Sequence, residues 1–483
     1  MGLFSRKSIV QLQAEVGNDK EGKGLRRVIG PFGLIAIGVG IIVGAGLFSV
    51  TGLVAANNTG PAITLSFIFA AVACGFAGLC YAELSSMLPV AGSAYTYSYV
   101  TMGEFVAWLV GWNLVLEYAI GSIIVSASWC QYLLKFLEGF GITLPQQFCA
   151  GPWDGGIVNL PAVFIVIVMS LILMKGMKQS TILNNIIVSL KIGVILIFII
   201  LGWSYINADN FTPYIPENTG TFGEFGWSGI LRGAGIVFVA FLGFDAVSTV
   251  AQETKNPKRN MPIGIIGSLL VVTIIYVLFG HVMTGVAHYT DFQGQDGIAP
   301  VAVAINKMGH IVNGEFILDF PWLARLLVIA ILFGYCSVIL VMLLSQSRIF
   351  MAMAHDGLLP KFFADVNPKT GTPIKNNIFF MIIVSIFTAI TPPRIAGELC
   401  SIGTLFAFTF VCLGVIIVRR TNPDMPRGFK VPLVPYIPIL GIVVCITMMV
   451  FLPVDTWIRL VAWMIIGIVV YFCWSRKHSK LRG

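Results

Sequence analysis

Gly38-Val-Gly-Ile-Ile-Val-Gly44-Ala-Gly46-Leu-Phe-Ser-Val-Thr-Gly52 lies inside the first long apolar stretch of the chain, and five of its fifteen residues are glycine. Glycine costs about 1 kcal/mol relative to alanine inside a helix. A helix that only anchored the chain would carry leucine at such positions. Two readings fit. In one, the helix breaks near mid-membrane at Gly44-Ala45-Gly46 and leaves backbone N–H and C=O groups to bind something. In the other, the small residues form a seam that lets a neighbouring helix approach closely.

The surrounding composition fixes the class. Of 483 residues, 57% are hydrophobic and 11% charged, and the mean hydropathy is +0.89. Runs of about 20 apolar residues, enough for a hydrocarbon core of about 30 Å, recur from Phe32 to Trp474. The expectation is an all-α polytopic membrane protein with twelve transmembrane helices. The spans are placed near 32–55, 61–86, 104–134, 157–175, 182–203, 229–252, 262–286, 322–350, 377–391, 396–418, 432–452 and 456–475. No cleavable leader is expected, because the first thirty residues are charged and polar.

An even number of spans puts both termini on one side. With that side cytoplasmic, 23 lysines and arginines fall inside and 6 outside, with Lys191 left within a span. That asymmetry follows the positive-inside bias and predicts cytoplasmic termini in the cell membrane. It also accounts for the net charge of +8. The basic residues then face anionic membrane lipid, and nucleic acid is not an expected partner. The nine cysteines lie mostly in apolar segments without a C-x-x-C pair. They read as small apolar residues, with no metal site and no cofactor implied. No H-E-x-x-H or G-x-S-x-G motif occurs, so an enzyme is not expected.

Charges inside spans are expensive and need a reason. Glu117 lies in the third span, Lys191 in the fifth, Asp245 in the sixth and Glu83 near the inner end of the second. Glu83 reads as structural, and Glu253 as the end of a helix entering a loop. For Glu117, Lys191 and Asp245, one reading is a neutral ion-pair network, with the lysine between the carboxylates. The other is a lysine that changes protonation during a cycle.

The sixth span repeats the pattern of the first, with Gly233-Ala-Gly235 followed by Phe241-Leu-Gly243-Phe-Asp245. Five spans followed by five more gives two units of opposite orientation. Glycine-interrupted segments at matching positions in two halves point to a transporter's central site. Half-helix N-termini suit a carboxylate, and unwound carbonyls suit an ammonium group.

These residues resemble a known superfamily. Gly38 to Phe48 with Thr51-Gly52 is similar to the first-helix motif of the amino acid–polyamine–organocation (APC) superfamily. Further matching motifs are Cys80-Tyr-Ala-Glu-Leu-Ser, Pro89 to Tyr99 and Gly111-Trp-Asn-Leu-Val-Leu-Glu-Tyr118. Phe241 to Thr249, Asn256 to Gly264, Ser347 to Pro360 and Arg427 to Pro432 complete the series. Together they resemble the cationic amino acid transporter (CAT) subfamily and its bacterial relatives.

The resemblance implies a five-plus-five inverted repeat (LeuT-type) with two additional helices. Its divisions are a segment at 1–31, repeats at 32–205 and 229–418, spans 11 and 12 at 432–475, and a tail at 476–483. It also implies secondary transport of an amino acid by alternating access. Gly44, Ala45 and Gly46 would receive the substrate carboxylate. The carbonyls of Ile42, Val43, Val239, Ala240 and Leu242 would receive the α-ammonium. Lys191 matches a lysine that replaces a sodium ion in sodium-independent relatives, which implies proton coupling or exchange, and Glu117 and Asp245 match acidic positions of the group. Ala45 departs from a common Ser or Thr, and Val239 from a common aromatic residue. Tyr335 and Cys336 fall near the side-chain pocket. Phe241 and Phe244 stay open between packing and gating.

Overall fold

The computed structural model describes residues 5–8, 27–44, 46–90, 92–293, 300–312, 315–391, 393–450 and 454–481. Helix is found in each of the twelve apolar segments. The main helices are α1 (Pro31–Ile42), α2 (Ile63–Met87), α3 (Glu104–Glu138), α4 (Leu160–Lys175), α5 (Met177–Trp203) and α6 (Gly226–Phe238). They continue with α7 (Pro257–Val286), α8 (Pro321–His355), α9 (Ile374–Ile390), α10 (Pro393–Thr421), α11 (Tyr436–Val450) and α12 (Val454–Val470).

Among the described residues, seven helices are long and apolar enough to cross a membrane, and four apolar helices are shorter. The chain is therefore a multi-pass membrane protein. Proline opens α1, α7 and α8 at positions where the missing N–H costs nothing and the fixed φ favours the first turn. Asn159 caps α4 by accepting from the Ala162 N–H at 3.1 Å.

Helices five apart in sequence pack against each other: α2 on α7, α3 on α8 and α4 on α9. The α1 helix lies against α5, α7 and α8. The entry to α1 is joined to the segment before α7. Val28 and Ile29 N–H donate to the Glu253 carbonyl at 2.9 and 3.0 Å, and Lys255 N–H donates to the Ile29 carbonyl at 2.8 Å.

One feature departs from the all-helical expectation. A two-stranded antiparallel hairpin, β1 (Gly309–Val312) and β2 (Glu315–Leu318), pairs Gly309 with Leu318 in the loop after α7. It lies in the connection between α7 and α8, with Ile311 and Ile317 exposed.

Candidate functional site

Both glycine-rich segments break, and the breaks touch. The α1 helix ends at Ile42, and Val43 turns extended (φ −75°, ψ 95°) with its N–H still on the Val39 carbonyl. The chain resumes as a π-helical turn over Gly46–Val50, and the Gly44 carbonyl accepts from Leu47 and Phe48 N–H at 3.2 and 3.3 Å. Ala45, expected at the centre of the carboxylate site, lies outside the described residues.

The second break follows α6. Val239–Phe241 form a 3-10 turn, and Gly243 follows at φ +103°, a conformation that side chains rarely adopt. A Cβ on Gly243 would also come 2.9 Å from Ile41. Opposite, a Cβ on Gly46 would fall 2.4 Å from the Ala240 Cβ. The packing seam and the broken helix are thus the same feature. These glycines let two interrupted backbones meet.

A helix that stops in an apolar core leaves carbonyls that need donors. Lys191 of α5 supplies two, donating from Nζ to the Gly40 and Val43 carbonyls at 2.7 Å each. Its third hydrogen goes to Ser337 Oγ on α8 at 3.1 Å. All three ammonium donors are used, and Lys191 is fully buried. It sits at the negative end of the α1 dipole, where a cation is favoured. Asn184, Val188 and Lys191 share one face of α5. Asn184 Nδ2 donates to the Ala36 carbonyl at 3.2 Å, and a Cβ on Gly40 would come 2.9 Å from Asn184 Oδ1.

Tyr276 of α7 joins the two breaks. Its hydroxyl reaches the Ile42 carbonyl at 2.9 Å and the Ala240 carbonyl at 3.0 Å. Sequence reasoning missed both Tyr276 and Ser337. The available signal was a hydroxyl within an apolar run, which needs a partner when buried. Of the carbonyls expected to receive an ammonium, Val43 therefore already accepts from Lys191, and Ile42 and Ala240 share the single hydrogen of Tyr276. Each retains a second lone pair.

The structure does not gather Lys191, Glu117 and Asp245 into an ion-paired triad. Among the described residues, no carboxylate forms a salt bridge with Lys191. Asp245 Oδ2 accepts from Tyr118 OH at 2.5 Å, while its Oδ1 is buried without a hydrogen-bond partner. Glu117 Oε1 accepts from Thr404 Oγ1 of α10. The acids are held by hydroxyls, and the lysine by backbone.

Phe241 packs on Phe67 and Tyr276, and Phe244 on Tyr81 and Phe408. Leu242, between them, is partly buried. Tyr335 is buried with its ring edge-on to Tyr132 at 5.6 Å, and Cys336 is buried beside it.

Glu83 is structural, as its position suggested. It accepts two hydrogen bonds from Arg419 at 2.8 Å, one from Arg427 Nε at 3.1 Å and one from the Val431 N–H at 2.6 Å. Glu253 does more than end a helix. Its carboxylate lies 2.5 Å from Arg348 Nη2 of α8, with both side chains buried. Lys7 is likewise buried against Asp356. The reading of the basic residues as lipid-facing therefore fails for Lys7, Arg348 and Arg427. Each is a partner for a buried acid, which a charge count along the chain does not distinguish.

The model of the amino acid permease family matches residues 29–471. The chain is 41% identical over 483 residues to the branched-chain amino acid permease BcaP of Bacillus subtilis, covering 99% of each chain. It is 39% identical over 481 residues to the methylthioribose transporter of the same organism, again covering 99% of each. It is 35% identical to the vacuolar cationic amino acid transporter 4 of Arabidopsis thaliana, over 81% of this chain and 63% of that one.

Proposed function

The chain belongs to the amino acid permease family of the APC superfamily, a transporter and not an enzyme, and from that premise we propose how it transports. It carries an amino acid across the cell membrane by alternating access, through twelve spans with both termini in the cytoplasm. The first ten spans form an inverted repeat. The pairing of α2 with α7, α3 with α8 and α4 with α9 supports that reading, since counterparts five apart meet. The hydrogen-bonded inner ends of the two broken segments support their moving together.

The observation that carries the proposal is the contact of the two breaks, Gly46 on Ala240 and Gly243 on Ile41. The N–H groups of Gly44, Ala45 and Gly46 receive the substrate carboxylate. The second lone pairs of the carbonyls at 42–43 and 239–242 receive the α-ammonium. Transport is sodium-independent and proton-linked. Lys191 takes the place of a metal ion among the α1 carbonyls, and its proton is the coupled one. Protonated, it donates three hydrogen bonds at the end of α1. Deprotonated, it has two hydrogens and turns a lone pair toward an acceptor, so α1 is released.

A second reading, with methylthioribose as cargo, has the 39% identity to the transporter of that name behind it. One experiment separates the two. Purified protein is screened by thermal shift against the twenty amino acids and methylthioribose, at two pH values, with and without sodium. Stabilisation by an amino acid, independent of sodium, is expected. Stabilisation by methylthioribose alone overturns the amino acid reading.

A further inference from the structure

Cys130 and Cys149 stand apart from the central site. Cys130 lies on the last third of α3 and Cys149 in the following loop, and both are buried. With Ala162 they form a small apolar cluster separate from the main core. The Cys130 thiol donates to the Cys149 carbonyl at 3.6 Å, and the two thiols lie within hydrogen-bonding reach of each other. Cys149 also lines a cavity of about 590 Å³ between α3, this loop and the end of α9, with Gln131, Glu138, Gln146 and Thr391 on its walls. The distribution of lysine and arginine assigns this end of the molecule to the exterior, where disulfides persist. By contrast, Cys74, Cys80, Cys336, Cys412 and Cys445 are buried among the membrane helices.

We propose that Cys130 and Cys149 are a modification site, a thiol pair that closes to a disulfide by exchange with a low-molecular-weight disulfide entering through the cavity. The Cys149 thiolate attacks one sulfur of the reagent, forming a mixed disulfide and expelling one thiolate. The Cys130 thiolate then attacks the Cys149 sulfur, forming the protein disulfide and expelling the second thiolate. The two expelled thiolates take up the two protons released by the cysteines. The protein loses two electrons and the reagent gains them. Burial pushes the Cys149 thiol up, partly offset by the hydrogen bond from Cys130. Exchange therefore runs slowly at neutral pH and faster in alkali. The bond ties α3 to a loop already held on α9, where Asn159 N–H donates to the Ala389 carbonyl at 3.2 Å. It stiffens the packing of α3, α4 and α9 and leaves the two breaks untouched.

The test is non-reducing peptide mapping of the purified full chain after incubation with oxidised glutathione at neutral and alkaline pH. The expected product is a peptide pair linked through Cys130 and Cys149, in a protein lighter by two hydrogens, formed faster in alkali and melting at a higher temperature until reduced. In Cys130→Ser, the reaction stops at one glutathione moiety on Cys149. Recovery of both thiols free in the wild-type protein after alkaline incubation overturns the proposal. So does a stable glutathione adduct on wild-type Cys149, or a bond to any other cysteine. The wild-type map decides the matter even if the variant does not fold.

Discussion

Lys191 and Glu83 are both buried charges with several hydrogen bonds, and they are solvated in opposite ways. Glu83 is surrounded by two guanidinium groups and one backbone N–H. Arginine does not lose its proton in proteins, so this charge balance is permanent. Lys191 is surrounded by two carbonyls and one hydroxyl, all neutral. Its proton leaves without stripping an ion pair of its partner. The partners also differ in where they lie. Those of Glu83 sit on α10 and the segment that follows it. Those of Lys191 include two carbonyls at the end of a broken helix, so a change of charge there acts where the helical hydrogen-bond ladder stops.

This contrast is open to direct attack. The largest effect is expected from Lys191→Met, which removes the ammonium donor from the Gly40 and Val43 carbonyls and leaves Gly40 with Ser337 Oγ alone, at 2.9 Å. Accumulation driven by a proton gradient collapses to the external concentration, measured as uptake into proteoliposomes, while thermal shift still detects substrate binding. If the mutant accumulates substrate with a wild-type pH dependence, Lys191 is as static as Glu83. Next comes Glu83→Gln, which leaves the buried Arg427 and the partly exposed Arg419 guanidinium groups short of a counter-charge. Such losses cost about 3–5 kcal/mol. The melting temperature falls, but the pH profile of uptake per folded molecule stays unchanged. A shifted profile would erase the distinction between the two sites.

Tyr276→Phe takes the shared donor from the Ile42 and Ala240 carbonyls, at a cost of about 1–3 kcal/mol. Since those carbonyls belong to the proposed ammonium site, affinity measured by substrate titration weakens and the proton dependence stays. A loss of proton dependence with normal affinity would move Tyr276 to the lysine's role. The smallest change is Ser337→Ala, which removes the longest of the three hydrogen bonds of Lys191 and one donor from the Gly40 carbonyl. The pH at which uptake is half-maximal shifts, and expression and melting temperature stay near wild type. No shift would mean that the carbonyls alone set the behaviour of the lysine.

Much of this architecture was legible in the chain because hydrocarbon thickness dictates span length and glycine is costly in a helix. The two interruptions at Gly44-Ala45-Gly46 and Gly243 were visible for that reason. What the interruptions meet was not visible. A linear reading left Lys191 open between an ion-pair network with Glu117 and Asp245 and a lysine that changes protonation. In the fold, the unpaired carbonyls of a stopped helix made the stronger claim on its three donors. Tyr276 and Ser337 were missed because a hydroxyl in an apolar run looks the same whether it bonds within its own helix or to another. Arg348 and Arg427 were read as lipid-facing because a position near a span end does not say which way a long side chain turns. The hairpin at Gly309–Leu318 was missed because its strands are only four residues each.

The most direct test of the central claim is uptake into proteoliposomes of the wild-type protein of whichever amino acid stabilises it in the thermal-shift screen, without sodium, with and without an imposed inward proton gradient. The account predicts accumulation above the external concentration when the gradient is present, and equilibration when it is absent. Accumulation that requires sodium, or uptake indifferent to the proton gradient, would contradict it.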